Sequence, residues 1–197
     1  MCIRDRDAIY IYGASKNIKI LDNDFYNSYK HAADIVSEDE DRLFENVEMR
    51  GNYVENVLYY DGLTVFGYGK GKIIIANNRG TGAQGPYGSS IIHLELLGTD
   101  TEYDAVIEGN VVWDTKYGIS VPTAKNVVIK GNVVKNPTER GIVLSVMNAV
   151  IEGNQIIGGK YAIHISGLNE STIVGNSIIG SEYGLYWWNA SALNRGN

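Results

Sequence analysis

Two of the three histidines stand beside carboxylates at spacings that suit acid/base chemistry. His93 and Glu95 are two places apart in SIIHLELL, and His31 and Asp34 are three places apart in KHAADIV. If SIIHLELL is a strand, His93 and Glu95 share one face, because successive side chains alternate between faces. An imidazole beside a carboxylate can donate and accept a proton in turn. His93, Glu95, Asp34 and His31 are therefore the candidate catalytic residues.

A strict repeat must position these residues. The stretches AVIEGNVV, VVIKGNVV, AVIEGNQI and STIVGNSI each carry the same asparagine, and the interval from one to the next is 22 residues. A period of this length predicts a solenoid. Counting the upstream stretches KILDNDF, EMRGNYV and IIANNRG, the repeated asparagines are Asn23, Asn52, Asn78, Asn110, Asn132, Asn154 and Asn176.

Apolar residues recur at fixed places around each asparagine. Three places before it stand Ile20, Met49, Ile75, Ile107, Ile129, Ile151 and Ile173. Two places after it stand Phe25, Val54, Gly80, Val112, Val134, Ile156 and Ile178, where Gly80 is the exception. A third apolar element, such as GISV or AIHI, precedes or follows at a distance of about ten residues. Each repeat thus predicts three short strands and leaves no stretch long enough for a helix.

The Gly-Asn pair predicts a sharp turn inside each repeat. We expect the asparagine to adopt the left-handed conformation, and the preceding glycine to relax the steric strain. Stacked coils would then place the asparagine side chains in an amide ladder. This pattern is typical of an all-β fold, a single-stranded right-handed parallel β-helix with about eight coils of about 22 residues.

The repeat resembles that of the pectin-lyase-like superfamily over roughly residues 7 to 191. The resemblance implies that GISV and its equivalents form the first strand, and that an active site lies on the outer face of that strand. The outward residues of this strand are Tyr10, Asp34, Thr64, His93, Ser120, Val143, His164 and Tyr186. The acidic cluster with which pectate lyases hold Ca²⁺ is not present in this column, and the motifs of polygalacturonases and mannuronan epimerases are not found.

Long loops predict a groove beside the first strand. The intervals between the first four asparagines are 29, 26 and 32 residues, against 22 in the later repeats. Insertions on one face of a solenoid commonly build its binding surface. Tyrosines suit sugars, because the ring packs on C–H groups while the hydroxyl forms hydrogen bonds. The candidate substrate-binding residues are Tyr10, Tyr68, Arg79 and Tyr87.

These observations predict a carbohydrate-active module, a polysaccharide lyase or glycoside hydrolase that acts on an extended, acidic polysaccharide. The alternative is a non-catalytic structural or glycan-binding β-helix, as in a phage tail fibre, a tailspike or a surface adhesin. A secreted, cell-surface or virion location fits both, and a homotrimer is expected if the chain comes from a phage tail protein. No cofactor is expected. The alternative is a Ca²⁺ ion held by Asp34 and the SEDED run. Three scattered histidines do not predict a transition-metal site.

Composition limits the other function classes. The chain has 197 residues, 44% of them hydrophobic and 20% charged, as in a globular domain. A net charge of −6 argues against nucleic-acid binding, and no apolar run is long enough to span a membrane. Residues 1–6, MCIRDR, resemble a translated sequencing adapter and contain the only cysteine. We expect residues 7–197 to be one β-helix domain that is truncated at both ends.

Overall fold

The computed structural model describes residues 7–87, 89–98, 103–146, 148–166 and 170–188. The predictions made for residues 1–6 and for the last residues of the chain lie outside these ranges. Every regular element in the described ranges is a β-strand, so no helix there is long and apolar enough to cross a membrane. The strands form the predicted right-handed parallel β-helix.

The strands, numbered β1 to β21 along the chain, stack into three parallel sheets. The first sheet contains β1 (Ile9–Tyr12), β4 (Ala33–Ser37), the first half of β7 (Leu63–Ala76), β9 (Ser90–Leu97), β12 (Tyr117–Thr123), β15 (Arg140–Leu144), β18 (Tyr161–Ser166) and β21 (Tyr183–Trp188). The second contains β2 (Lys16–Leu21), β5 (Phe44–Arg50), the second half of β7, β10 (Tyr103–Glu108), β13 (Val127–Lys130), β16 (Val150–Glu152) and β19 (Thr172–Val174). The third contains β3 (Asp24–Tyr26), β6 (Tyr53–Glu55), β8 (Arg79–Thr81), β11 (Val111–Trp113), β14 (Val133–Lys135), β17 (Gln155–Ile157) and β20 (Ser177–Ile179).

The solenoid has about seven turns rather than the predicted eight. The third sheet contains seven strands, one for each repeated asparagine. The first sheet contains one strand more, because β21 begins a further turn of which the structure describes only this strand. Counting first strands alone therefore gives the higher number.

The asparagine ladder is present along the whole stack. The side-chain Nδ2 of each asparagine donates to Oδ1 of the next one, at 2.9–3.1 Å from Asn23 to Asn176. The same Oδ1 accepts the backbone N–H of the previous asparagine. Asn110 and Asn132 are fully buried. The ladder therefore satisfies polar groups that water cannot reach.

We predicted that the asparagine adopts the left-handed conformation in the turn. In the structure the residue before the asparagine adopts it instead. Positive φ angles occur at Asp22, Gly51, Asn77, Gly109, Gly131, Gly153 and Gly175. The ladder asparagines themselves do not have positive φ. The preceding residue makes the turn, which leaves the asparagine amide free to point into the stack and bind its neighbours.

A second column of left-handed residues ends the third strand of each turn. It consists of Asn27, Asn56, Gly82, Asp114, Asn136, Gly158 and Gly180. Where two polar members are adjacent they are bonded, as in the donation from Asn136 Nδ2 to Asp114 Oδ1 at 3.1 Å. Asparagine and aspartate tolerate this backbone conformation better than other non-glycine residues. This column was not predicted, because its members differ in residue type.

The interior is a stack of aliphatic columns. All seven residues three places before the asparagines are at most 3% exposed. Gly80 interrupts the column two places after the asparagines, and Ile91 fills the space: a Cβ on Gly80 would lie 2.5 Å from Cγ2 of Ile91. The side chain of Ile91 thus fills the core position that Gly80 leaves empty.

We predicted that the extra residues of the early repeats form loops, but one such stretch, FGYGKGK, is strand. It lies within the continuous strand β7, which joins the first and second sheets. Its partner β9 extends to Leu97, which pairs with Tyr68, and β10 begins at Tyr103, which pairs with Gly71. The extra residues therefore lengthen the strands instead of forming a wall of the groove.

Candidate functional site

The outer face of the first sheet carries two adjacent columns of polar residues near its N-terminal coils. The predicted outward column is confirmed by the register, which aligns Tyr10, Asp34, Thr64, His93 and Ser120 in order. Two places before the aligned core residues Ile9, Ala33, Leu63 and Ile92 stand Asp7, His31, Asp61 and Ser90. Together these two columns bring histidines and carboxylates from successive coils to one place.

His31 lies between two carboxylates. Its Nδ1 is 2.9 Å from Oδ1 of Asp7 and 3.2 Å from Oδ2 of Asp34. The Asp7 oxygen also accepts the backbone N–H of His31 at 2.9 Å. On another side the ring packs against Tyr60, with centroids 5.2 Å apart. The imidazole is thus held in place by polar and aromatic contacts.

His93 is also flanked by two carboxylates, one at each ring nitrogen. Nδ1 lies 3.4 Å from Oδ2 of Asp61, and Nε2 lies 3.4 Å from Oε2 of Glu95. Asp61 is fixed in turn by the backbone N–H of Ser90, at 2.8 Å, and by the Ser90 hydroxyl. The order Asp61, His93, Glu95 gives an imidazole that is oriented on one side and can exchange a proton on the other. Catalytic hydrogen bonds are often this long before substrate binds.

The pKa of each of these two histidines is raised above its ordinary value. Burial alone would lower the pKa of His31, but the hydrogen bond to Asp34 and the charges of Asp34, Asp7 and Asp61 outweigh it, and the pKa is raised. Burial opposes protonation of His93 too, yet the hydrogen bond to Glu95 and the charges of Asp61 and Glu95 raise the pKa of this imidazole. In its protonated form each imidazole is a proton donor that lies close to a carboxylate.

These side chains line one cavity of about 600 Å³, which we call the histidine cavity. Its lining consists of Asp7, Tyr10, Lys30, His31, Asp34, Val36, Glu38, Tyr60, Asp61, Thr64, Phe66, His93 and Glu95. Two buried oxygens of the lining, Oδ1 of Asp34 and Oγ1 of Thr64, have no hydrogen-bond partner among the described residues. Buried polar groups normally have partners, so these two oxygens mark the cavity as a place for a polar ligand.

Tyrosines form one wall beside the histidine cavity. Tyr60 lines it, and Tyr87 stacks on Tyr60 and on Tyr59, with ring centroids 5.9 Å and 5.6 Å apart. Tyr59 in turn stacks on Tyr29 at 4.9 Å. Tyr87 is 70% exposed, so this wall offers an open aromatic face at the edge of the cavity.

The structure brings five of the eight predicted site residues into the histidine cavity: Tyr10, His31, Asp34, His93 and Glu95. Tyr87 lies next to it, through its contact with Tyr60. Tyr68 belongs to β7 and does not line the cavity. Arg79 lies on the third sheet, with its guanidinium 5.9 Å from the ring centroid of Trp113, so it is remote from the groove in which sequence analysis placed it.

Asp7, Asp61 and Tyr60 line the cavity but were not among the predicted site residues. Asp7 and Asp61 stand two places before the first core residue of their strands, which is also the place of His31. Reading this second column would have found them. His31 and His93 appear scattered in sequence, but the register brings both to the same cavity.

Acidic residues of the SEDED run contribute little to the histidine cavity. Glu38 lines it, whereas Asp39 is engaged locally, with one oxygen accepting the backbone N–H of Asp41 and the other 3.6 Å from Arg42. The compact group of possible metal ligands in the described residues is a different one. It consists of Asp7, His31 and Asp34, whose ligand atoms all lie within 4.8 Å of one another.

Comparisons with known proteins agree with this fold. The crystal structure of PfbA, a surface adhesin of Streptococcus pneumoniae, is similar with a TM-score of 0.57 and 14% sequence identity, over 93% of this chain and 52% of that chain. This chain therefore spans about half the length of PfbA. A search of curated protein sequences gives no match. The model of the family described as "Periplasmic copper-binding protein (NosD)" matches residues 45–195. Because this match covers well over half of the sequence, the chain belongs to the NosD family.

Proposed function

We propose that this protein binds an extended polysaccharide along the outer face of the first sheet and cleaves it in the histidine cavity. The proposal depends on one observation. His31 and His93 line the same cavity, and each of them lies beside two carboxylates. The family description names a periplasmic protein and the similar fold of PfbA is that of a surface adhesin, so we propose an extracytoplasmic or surface location.

The chemistry we propose is general acid/base catalysis. His93 in its protonated form donates a proton to the glycosidic oxygen as the bond to it breaks, and Asp61 holds the ring in place. Asp7 or Asp34, the two carboxylates beside His31, supplies the base. If that base removes a ring proton the product is unsaturated, as from a lyase; if it activates water the product is saturated, as from a hydrolase.

The tyrosines supply sugar binding. Tyr10 lines the cavity and is 55% exposed, and the Tyr60–Tyr87 stack adds a set of ring faces at the edge of the cavity. Aromatic faces pack on the C–H groups of sugar rings, and phenol hydroxyls bind sugar hydroxyls. The proposed binding surface therefore combines the acid/base groups with aromatic contacts on neighbouring coils.

The test is a panel of acidic and neutral polysaccharides assayed for binding, for new reducing ends and for unsaturated products. We expect at least one polymer to bind and to be cleaved, and His93→Gln to lower the cleavage rate by about 10²–10⁴-fold, the usual contribution of a general acid. Glu152→Gln, an exposed residue of the second sheet that does not line the cavity, is the control and should retain the parent rate.

A non-catalytic glycan-binding role is one outcome of the same panel. PfbA, whose fold is similar, is a surface adhesin, and adhesion needs binding without cleavage. A polymer that binds to the parent and to His93→Gln alike, with no product from either, would favour that role over catalysis. If no polymer of the panel binds, both the catalytic role and the glycan-binding role are contradicted.

A metal-binding role is the second candidate. The family description names copper, and Asp7, His31 and Asp34 offer one imidazole nitrogen and two carboxylates. Imidazole suits copper(II) and zinc, and carboxylates suit harder divalent ions, so this donor set fits a divalent ion. The soft sulfur ligands that favour copper(I) are not among these three residues. Oδ1 of Asp34 has no hydrogen-bond partner among the described residues, so it is available as a ligand atom.

Calorimetric titration with Cu²⁺, Zn²⁺ and Ca²⁺ tests this second candidate. We expect one divalent ion to bind at a single site, and Asp34→Asn to weaken it about 10- to 100-fold, because a neutral amide replaces a charged ligand. Glu95→Gln, which lines the cavity but does not belong to the group, is the control. Equal affinities for parent and Asp34→Asn would contradict a site at these residues.

A further inference from the structure

The outer face of the first sheet continues from the histidine cavity into a surface of different chemistry. The same two columns that hold Asp7, His31, Asp34 and His93 in the first coils hold aromatic and cationic residues in the later ones. The register aligns Tyr117, Arg140, Tyr161 and Tyr183 in one column, and His164 and Tyr186 in the other. We call these six residues the aromatic platform.

The rings of the aromatic platform pack together across coils. Tyr161 stacks on Tyr183 with centroids 5.1 Å apart and planes inclined by 17°. Tyr186 lies 4.9 Å from Tyr161 and 5.1 Å from His164. Burial and the charge of Arg140 lower the pKa of His164. Tyr183 is 43% exposed, and the stack therefore presents ring surface to an external ligand.

Cations flank these rings. The Arg140 guanidinium and the Lys116 ammonium each lie 5.2 Å from the centroid of Tyr117, and the Lys160 ammonium lies 5.4 Å from that of Tyr161. Lys116 is 3.9 Å from Glu139. In the part of the chain that the structure describes, neither Arg140 nor Lys160 has a carboxylate within 4.0 Å, and Nε of Arg140 has no hydrogen-bond partner. Two cations therefore stand beside the rings without neutralising partners.

We propose that the aromatic platform is a second binding region for the same glycan chain, and that it recognises uronic-acid residues. The sugar rings would pack on Tyr161 and Tyr183, while their carboxylates bind Arg140 and Lys160, as charge complementarity requires. This inference rests on the proposed polysaccharide function. The coil of Tyr161 is three coils beyond that of His93, about 14 Å at the usual strand spacing. A disaccharide in the cavity would not reach Tyr161 and Lys160, but an octasaccharide would.

The alternative explanation is that these contacts only stabilise the stack of coils. Cross-strand aromatic pairs do stabilise sheets. That explanation gives no reason for the two cations without carboxylate partners, and it predicts that their removal affects unfolding but not ligand affinity. The two explanations are therefore separated by binding measurements on folded variants.

The experiment measures the affinities of galacturonate oligosaccharides, a disaccharide and an octasaccharide, and of the octasaccharide in methyl-esterified form. For the parent we expect the free-acid octasaccharide to bind most tightly. In the double variant Arg140→Gln/Lys160→Gln the preference for the free acid over the ester, and for the octasaccharide over the disaccharide, should fall about tenfold. Lys135→Gln, an exposed lysine on the third sheet, is the control for loss of charge and should retain both preferences.

The outcomes separate the platform from the proposed function. If the octasaccharide binds the parent and the double variant equally well, the platform is not a binding region, even where His93→Gln affects cleavage. If the ester binds as well as the free acid, uronate recognition is overturned. If no polysaccharide of the wider panel binds, the proposed function fails and this inference with it. Thermal unfolding of each variant confirms that the measured protein is folded.

Discussion

Replacing Asn132 by alanine should lower the free energy of unfolding by about 2–5 kcal/mol, because it leaves several buried groups without partners. Oδ1 of Asn132 accepts the backbone N–H and the side-chain N–H of Asn110, both at 2.9 Å. Its Nδ2 donates to the carbonyl of Ile107 at 3.0 Å and to Asn154 at 2.9 Å. Since Asn132 does not have positive φ, the cost comes from these hydrogen bonds and not from backbone strain.

Chemical denaturation of the parent and of Asn132→Ala measures this effect. Asn136→Gly is the matched control: Asn136 is exposed, makes one side-chain bond to Asp114, and has a φ of 50° that glycine accepts. We expect the control to change the free energy of unfolding by no more than about 1 kcal/mol. Equal effects of the two substitutions would mean that the buried ladder contributes no more than a surface contact.

Gly80→Val should destabilise the protein by about 1–3 kcal/mol, although valine stands at the equivalent place in three other repeats. The reason is Ile91, which is fully buried and occupies the space that a side chain at Gly80 would need. In regular coils the sizes are reversed: Val134 packs against Gly118, whose Cβ would lie 2.5 Å from Cγ1 of that valine. In the pair Gly80–Ile91 the small residue is in the third sheet and the large one in the first sheet, whereas in Val134–Gly118 the large residue is in the third sheet.

The double variant Gly80→Val/Ile91→Ala tests the exchange. Ile91→Ala alone should cost about 2–5 kcal/mol through the cavity that it leaves. The two changes together should cost less than their sum by about 0.5–3 kcal/mol, as for residues in contact. The control combines Ile91→Ala with Ile151→Val. These two changes should be additive, because Ile151 lies in a different coil and in the second sheet. Additivity in both pairs would contradict direct packing between Gly80 and Ile91.

Local periodicity was enough to predict the fold. The asparagine interval and the alternation of apolar residues are properties of short stretches, and they predicted the three sheets, the ladder and the outward face of the first strand. The residue that makes the turn could not be identified in the same way. Glycine and asparagine both tolerate positive φ, so Gly131-Asn132 alone does not say which one adopts it; the structure assigns it to Gly131.

The site required distances that sequence periodicity does not provide. His93 and Glu95 share a face within one strand, so their proximity follows from alternation alone. The pairing of His31 with Asp7 joins residues in different coils, 24 places apart, and the early coils have unequal lengths. Tyr68 was misplaced for the related reason that extra residues can extend paired strands as well as form loops.

The asparagine ladder also gives the solenoid a direction. In every step the amide N–H points towards the following coil and the carbonyl towards the preceding one. The side-chain dipoles therefore add, and each hydrogen bond polarises the next. Two such stacks could continue one another only head to tail, because a twofold axis between them would oppose donor to donor or acceptor to acceptor. The ladder can therefore continue across a heterologous, head-to-tail joint along the axis, but not across an isologous end-to-end joint.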